Sequence, residues 1–140
     1  MASRQQTLDQ RRAERAWDDV KQIENTGNES LKKKYAALAR KTPANLQSSG
    51  LGQSLAFLRA KAGQKREGNE HWLLYRHVSH WVMNEMKQPN GEADRLLEWV
   101  VKQDSPIYRQ ATAETMAYLN WLKRFAEAVL PEPEDSGGGA

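Results

Sequence analysis

The sequence predicts an all-α protein: a compact bundle of about six or seven helices with short connections and a disordered C-terminal tail. Three observations carry this expectation. Apolar residues recur at three- and four-residue steps, no stretch alternates at period two for long enough to make a strand, and Gly, Pro and Asn punctuation falls between the periodic runs. The 140 residues are one domain's worth of chain. Residues 1–6 read as a flexible N-terminus, 7–130 as a single helical domain and 131–140 as an acidic, then glycine-rich tail.

A first helix is expected from Thr7 to about Asn25, with Ala13, Ala16, Trp17, Val20 and Ile23 as its core stripe and Gly27 as a left-handed cap. A second, about Ser30 to Lys41, buries Leu31, Tyr35, Leu38 and Ala39. Thr42 then offers an N-cap and Pro43 a first helical position, so a separate short helix is predicted over Pro43–Ser49, stopping at Gly50. Leu51, Leu55, Leu58 and Ala62 form the next stripe, with Phe57 pointing away from it. A helix apolar on two sides is expected to be central. Gly63–Gly68 reads as a basic loop and Asn69 as the cap of a helix reaching about Met86, with Trp72, Tyr75, Val78, Trp81 and Val82 inside. Pro89-Asn90-Gly91 is a turn, and Glu92–Gln103 a shorter helix around Leu96, Leu97 and Val100. Asp104 or Ser105 before Pro106 starts a last long helix carrying Ile107, Ala111, Tyr118, Leu119, Leu122, Phe125, Ala126 and Val129, which ends at Leu130-Pro131.

Composition narrows the function. With no cysteine, disulfide scaffolds, Cys-ligated zinc, iron–sulfur clusters and thiol nucleophiles are excluded. The polar N-terminus lacks the apolar core of a signal peptide, and no run approaches the roughly 18–20 apolar residues of a membrane span. A cytoplasmic protein is expected.

The formal net charge of +3 conceals one strongly cationic segment. Between Glu29 and Glu67 there is no acidic residue in 37 positions, but there are nine basic ones: Lys32, Lys33, Lys34, Arg40, Lys41, Arg59, Lys61, Lys65 and Arg66. Solvated helix faces ordinarily mix signs for i,i+4 pairing. A one-signed segment spread over successive helices and a loop is instead the electrostatic footprint of a nucleic-acid backbone.

Other constellations read more plainly. Gly50-Leu51-Gly52, among Asn45, Gln47, Ser48, Ser49 and Gln53, has two readings: a phosphate-approaching helix start, or simply a tight helix break. No Gly-Lys-Ser/Thr follows, so it is not a P-loop. His71, His77 and His80 share one helix without a third ligand at a metal spacing, and beside Trp72, Tyr75 and Trp81 they read as packing or interface residues. No nucleophile elbow or isolated carboxylate pair is present, so neither an active site nor a cofactor is expected. Of the five tryptophans, Trp17, Trp72 and Trp81 read as core, whereas Trp99 and Trp121 fall off their stripes and read as contact residues, for stacking with bases or for a protein interface.

Three stretches together resemble the small helical subunit of the type III-B CRISPR (Cmr) RNA-targeting effector. The first is Tyr35-Ala36-Ala37-Leu38-Ala39-Arg40-Lys41-Thr42-Pro43, continuing through Gly50-Leu51-Gly52-Gln53 to Leu55-Ala56-Phe57-Leu58. The second runs from His71 to Trp81. The third is Tyr108-Arg109-Gln110-Ala111-Thr112, leading to Tyr118-Leu119-Asn120-Trp121-Leu122-Lys123-Arg124-Phe125-Ala126-Glu127-Ala128. The resemblance implies a non-catalytic subunit of an RNA-guided antiviral ribonucleoprotein, with copies stacked along a helical backbone and beside the guide and target RNA. It implies that cleavage belongs to other Cmr subunits, and that basic side chains hold phosphates while pairing reads sequence. By position it implicates Arg40, Lys41, Lys123 and Arg124. Charge pattern alone adds Lys33, Lys34, Arg59, Lys61, Lys65 and Arg66. Two alternatives from other classes remain open: a stand-alone helix-turn-helix-like DNA-binding regulator formed by 30–62, and an adaptor acting only through protein contacts.

Overall fold

The structure, a computed structural model, describes residues 6–88 and 93–132. It contains six helices, α1 (Leu8–Glu24), α2 (Glu29–Ser49), α3 (Leu51–Ala62), α4 (Glu70–Glu85), α5 (Leu96–Val100) and α6 (Ser105–Val129), and no strand among the described residues. The all-α bundle with short connections stands as predicted. The Pro89-Asn90-Gly91 turn and the tail beyond Glu132 lie outside the described residues.

Helix starts follow the capping chemistry in the sequence. Thr7 and Gln10 form a reciprocal capping box, Thr7 Oγ1 accepting from Gln10 N–H and Gln10 Oε1 from Thr7 N–H. Asn69 Oδ1 accepts from His71 and Trp72 N–H, and Asp104 from Ile107 N–H. Asn28, unmarked as a cap in the sequence reading, opens α2 by accepting from Leu31 N–H.

Two boundaries differ from expectation. The helix anticipated over Glu92–Gln103 is only the short α5, because polar groups of α4 hold the chain leading into it. Ser79 Oγ donates to Ala93 C=O (2.5 Å) and accepts from Leu96 N–H (3.1 Å). Tyr75 Oη donates to Asp94 C=O and accepts from Leu97 N–H. The second difference is larger: the helices expected over Ser30–Lys41 and Pro43–Ser49 are one continuous helix, with Pro43 in its interior. Proline has no N–H to give the Ala39 carbonyl, a loss that ordinarily breaks a helix. Here Thr42, Pro43 and Leu46 are all buried, so packing offsets the loss. The Thr42 hydroxyl, instead of capping a new helix, donates to the Leu38 carbonyl at 2.7 Å.

The central elements are α2, α4 and α6, each packed on the others. α1 lies along α6 and touches α2, whereas α3 packs on α4, α2 and α5. α3 is therefore peripheral rather than central, and Phe57 is 43% exposed instead of buried on a second side. Tyr35, Tyr75 and Tyr118 are fully buried, and each places its hydroxyl on a partner, His77, Asp94 C=O and Asp19 respectively.

Between α2 and α3 the chain turns at Gly50, whose φ of +87° favours glycine. Gly52 matters for a different reason: Tyr108 Oη accepts its N–H at 2.7 Å, and a Cβ there would sit 3.3 Å from that oxygen. This bond ties the start of α3 to α6. Tyr108→Phe is expected to lower stability by about 1 kcal/mol in urea denaturation, and an unchanged midpoint would show the tie to be dispensable.

Candidate nucleic-acid interface

Because α2 runs unbroken, its register is fixed from end to end. At about 100° per residue, Lys34, Lys41 and Asn45 fall on one flank, with Lys34 and Lys41 separated by about 10 Å along the axis. Lys33 lies on the outward face. It lines a shallow depression with Lys34, Glu29, Ser30 and Ala37. On α3, Gln53, Phe57 and Lys61 repeat at four-residue steps and form a facing stripe. The two flanks enclose a groove of about 280 Å³ lined by Thr42, Asn45, Ser49, Gln53, Ser54, Phe57 and Leu58.

At the far end of this groove α4 begins. Its His71 ring meets Phe57 edge-on, with centroids 5.9 Å apart. Burial lowers the His71 pKa, and the charges of Lys61 and Lys41 lower it further, against an opposing pull from Glu70. His71 thus lies within the field of both lysines. Lys61 also stands over the Phe57 ring at 5.9 Å.

The remaining predicted cations go elsewhere. Arg40 occupies the opposite flank of α2, in a depression shared with Ala126, Glu127, Leu130, Pro131 and Glu132, so two carboxylates border it. Arg59 reaches Glu98 of α5 with both oxygens at 3.2 Å and lies 5.2 Å from the Tyr75 ring centroid, so its charge is balanced within the fold. Arg66 stacks on Trp72 at 3.9 Å and remains exposed, as does Lys65. Lys123 is half-buried on α6, one turn before Glu127, and Arg124 is exposed. Among the described residues Lys33, Lys34, Lys41, Lys61, Lys65, Arg66, Lys123 and Arg124 have no carboxylate within 4.0 Å. Lys32, by contrast, pairs with Glu29 at 2.9 Å.

At Gly50-Leu51-Gly52 the chain breaks between two helices, and Tyr108 occupies the Gly52 N–H. The three histidines diverge: His71 neighbours Glu70, His80 bonds Asp94 Oδ1 at 2.5 Å, and His77 is buried between Tyr35 and Gln22. Gln22 Oε1 can only accept, so His77 Nε2 carries the proton and Nδ1 accepts from Tyr35 Oη. Burial pushes the His77 pKa down to about 3, so the ring is neutral.

The aromatic expectations need correction at Trp17. It is 41% exposed and meets Phe125 edge-on at 5.2 Å, while Phe125 stacks on Trp121 at 5.5 Å. The buried face of α1 is rotated toward Asp19, which leaves Trp17 on the rim. Trp121, whose Nε1 donates to Asp9, and Trp99 are both half-buried against the core. Trp72 and Trp81 are buried as expected.

Comparison with known proteins assigns this geometry to a family. The sequence matches the CRISPR-associated protein (Cas_Cmr5) family over residues 8–129, the span from the first residue of α1 to the last of α6. The chain belongs to the Cmr5 family. Over 100 residues it is 31% identical to the CRISPR system Cmr subunit Cmr5 of Thermus thermophilus, covering 70% of this chain and 76% of that protein. The crystal structure of a CRISPR-associated Cmr5 family protein from the same organism superposes with a TM-score of 0.68 at 25% identity, covering 90% of this chain and 100% of the other.

The interior of this Cmr5 chain also holds polar groups that periodicity did not single out. Arg12 grips Glu114 through two bonds of 2.7 and 2.9 Å, and Trp81 Nε1 donates to the same carboxylate at 2.8 Å. Burial pushes Glu114 up, but the bonds from Arg12 and Trp81 outweigh it and hold its carboxyl below the usual range. Asp19 moves the other way. Burial raises it to about 6 against the lowering effects of Tyr118 and Arg15. A carboxyl that binds its proton more tightly when folded contributes stability below its unfolded pKa near 3.8, and that contribution disappears as pH rises through about 6. The loss is up to about 3 kcal/mol. Asp19→Asn retains an acceptor for Tyr118 without the titration. Its melting temperature relative to the parent is expected to climb between about pH 4 and pH 7, whereas parallel curves would contradict the assignment.

Proposed function

We propose that this chain is a non-catalytic subunit of a type III-B CRISPR Cmr ribonucleoprotein in antiviral defence, working in the cytoplasm and holding RNA by its phosphates. Family membership supports the assembly, since the Thermus thermophilus relative is named as a Cmr subunit. The observation that carries the RNA contact is a set of cations none of which pairs with a carboxylate of the described residues: Lys34 and Lys41, about 10 Å apart on one flank of α2, and Lys61 over the Phe57 ring that lines the α2–α3 groove. Ammonium groups left without a carboxylate partner attract phosphates whatever the base they carry. Guide pairing then supplies sequence specificity. Lys33, Lys65, Arg66, Lys123 and Arg124 extend the positive field, whereas Arg40 beside Glu127 and Arg59 paired with Glu98 contribute least.

A second role rests on a separate observation. The Trp17–Phe125–Trp121 patch of α1 and α6 presents aromatic surface away from the groove, which suits contact with another Cmr subunit or a second copy in a stacked filament. A stand-alone duplex-reading regulator has less support, because the two helices expected before Gly50 are the single α2.

Filter binding to single-stranded RNA tests the reading. With four to six phosphates neutralised, log affinity falls against log salt with a slope of about −3 to −5. The triple variant Lys34→Glu, Lys41→Glu, Lys61→Glu is expected to weaken binding at least about tenfold and flatten the slope by about 2 to 3. Arg59→Gln, in contrast, leaves RNA affinity nearly unchanged and lowers the melting temperature. Salt-independent binding, or a triple variant that binds like the parent, would reject the proposal.

A further inference from the structure

A polar cavity of about 210 Å³ lies between α1 and α4. Its polar lining is Arg15, Asp19 and Gln22 of α1 with Arg76, His77 and His80 of α4, and it shares no residue with the α2–α3 groove. Helical spacing gathers these groups. Arg15, Asp19 and Gln22 fall at i, i+4 and i+7 on one face of α1, and Arg76 and His80 at i and i+4 on α4.

Inside the cavity one acceptor is left open. Tyr118 donates to Asp19 Oδ2, but Oδ1 receives no hydrogen bond, with Arg15 Nε at 3.6 Å and His77 Nε2 at 3.8 Å. Oδ1 is not sealed off either. Ser54 Oγ is the one side-chain nitrogen or oxygen among the described residues that is both enclosed and unbonded, so Oδ1 opens onto the cavity that Asp19 lines. Around it stand unused donors. Arg76 engages only its Nε, on Asp94 at 3.4 Å, and Arg15 donates no hydrogen bond to the described residues. The terminal forks of both guanidinium groups are therefore available, on side chains 43% and 34% exposed. Gln22 gives its oxygen to His77 Nε2 and keeps its NH2 unbonded.

An acceptor ringed by donors selects its ligand. A carboxylate from another protein would suit the two arginines, but it would bring no proton to Asp19 and would be repelled by it. A ribonucleotide brings both parts, since its 2′-hydroxyl is a donor and the phosphate on the adjacent ribose carbon is an oxyanion. From this we infer that the α1–α4 cavity receives the ribose edge of one RNA nucleotide. Asp19 Oδ1 accepts from the 2′-hydroxyl, while the forks of Arg15 and Arg76 and the amide of Gln22 hold the adjoining phosphate. Arg15 and Arg76 are balanced in charge by Asp19 and Asp94, so the cavity attracts little from a distance. It acts by hydrogen bonding on a strand that unpaired lysines elsewhere draw in. The inference rests on the RNA contact proposed above and adds a distinction that phosphate contacts cannot make, that of RNA from DNA.

Fluorescence anisotropy on the full-length chain tests it with single strands of about ten nucleotides, matched in sequence and charge. The strands are RNA, DNA and 2′-O-methyl RNA, whose sugar cannot donate. At about pH 8, where Asp19 is ionised, RNA is expected to bind about tenfold tighter than either of the others. Asp19→Asn keeps an acceptor for Tyr118 and turns an N–H toward the cavity, so the three strands converge on one affinity. Arg76→Gln weakens RNA binding severalfold. Equal affinity of the parent protein for all three strands with a steep salt slope, or an RNA preference that survives Asp19→Asn, would overturn the ribose site and leave the phosphate reading standing. Absence of binding to every strand would overturn both.

Discussion

The site depends on a helix that continues where its sequence invites a stop. Pro43 sits inside α2, and everything on the outer side of the protein takes its register from that continuity. Had the chain broken at Thr42, Lys34 and Asn45 would belong to differently oriented helices, and no common flank would face α3. The lost hydrogen bond at a mid-helix proline costs about 3 kcal/mol or more. Burial of Thr42, Pro43 and Leu46 against the neighbouring helices offsets it, with the Thr42 hydroxyl adding a bond to Leu38 C=O. Core packing on one side of α2 thus sets the spacing of charge on the other.

The interior shows a related economy of partners. Every fully buried tyrosine hydroxyl is matched, neutral His77 bridges Tyr35 and Gln22, and Glu114 collects Arg12 and Trp81. These pairs cross between α1, α2, α4 and α6 and fix how the helices sit, since an unmatched member would be costly in a low-dielectric core. Against that background Ser54 stands out. Among the described residues it is the one buried side-chain nitrogen or oxygen without a hydrogen-bond partner.

Much of the architecture was legible in the sequence. Three- and four-residue stripes located the long helices, and Thr7, Asn69 and Asp104 marked their starts, because both signals are local. The unread parts were decided at a distance. Whether Pro43 begins a helix or lies within one depends on what packs around it, and α5 is short because Tyr75 and Ser79 of α4 hold its approach. Trp17 looked apolar enough for the core, but the buried face of α1 is shared with Asp19, whose partner Tyr118 lies far along the chain. The candidate site divided in the same way. A one-signed segment is visible in a string of letters, yet the loss of Arg59 to Glu98 and the carboxylates of Glu127 and Glu132 bordering Arg40 require three dimensions. Spacing alone held one usable clue to the groove: Gln53, Phe57 and Lys61 repeat at four residues.

The most direct examination of the shared α2–α3 surface is amide chemical-shift mapping of the full chain while a short single-stranded RNA is added. The account predicts that the perturbed amides cluster in the second half of α2 from Lys41 to Ser49, along α3 from Gln53 to Lys61, and at His71. Perturbations centred instead on Trp17, Trp121 and Phe125, with α2 and α3 silent, would contradict it.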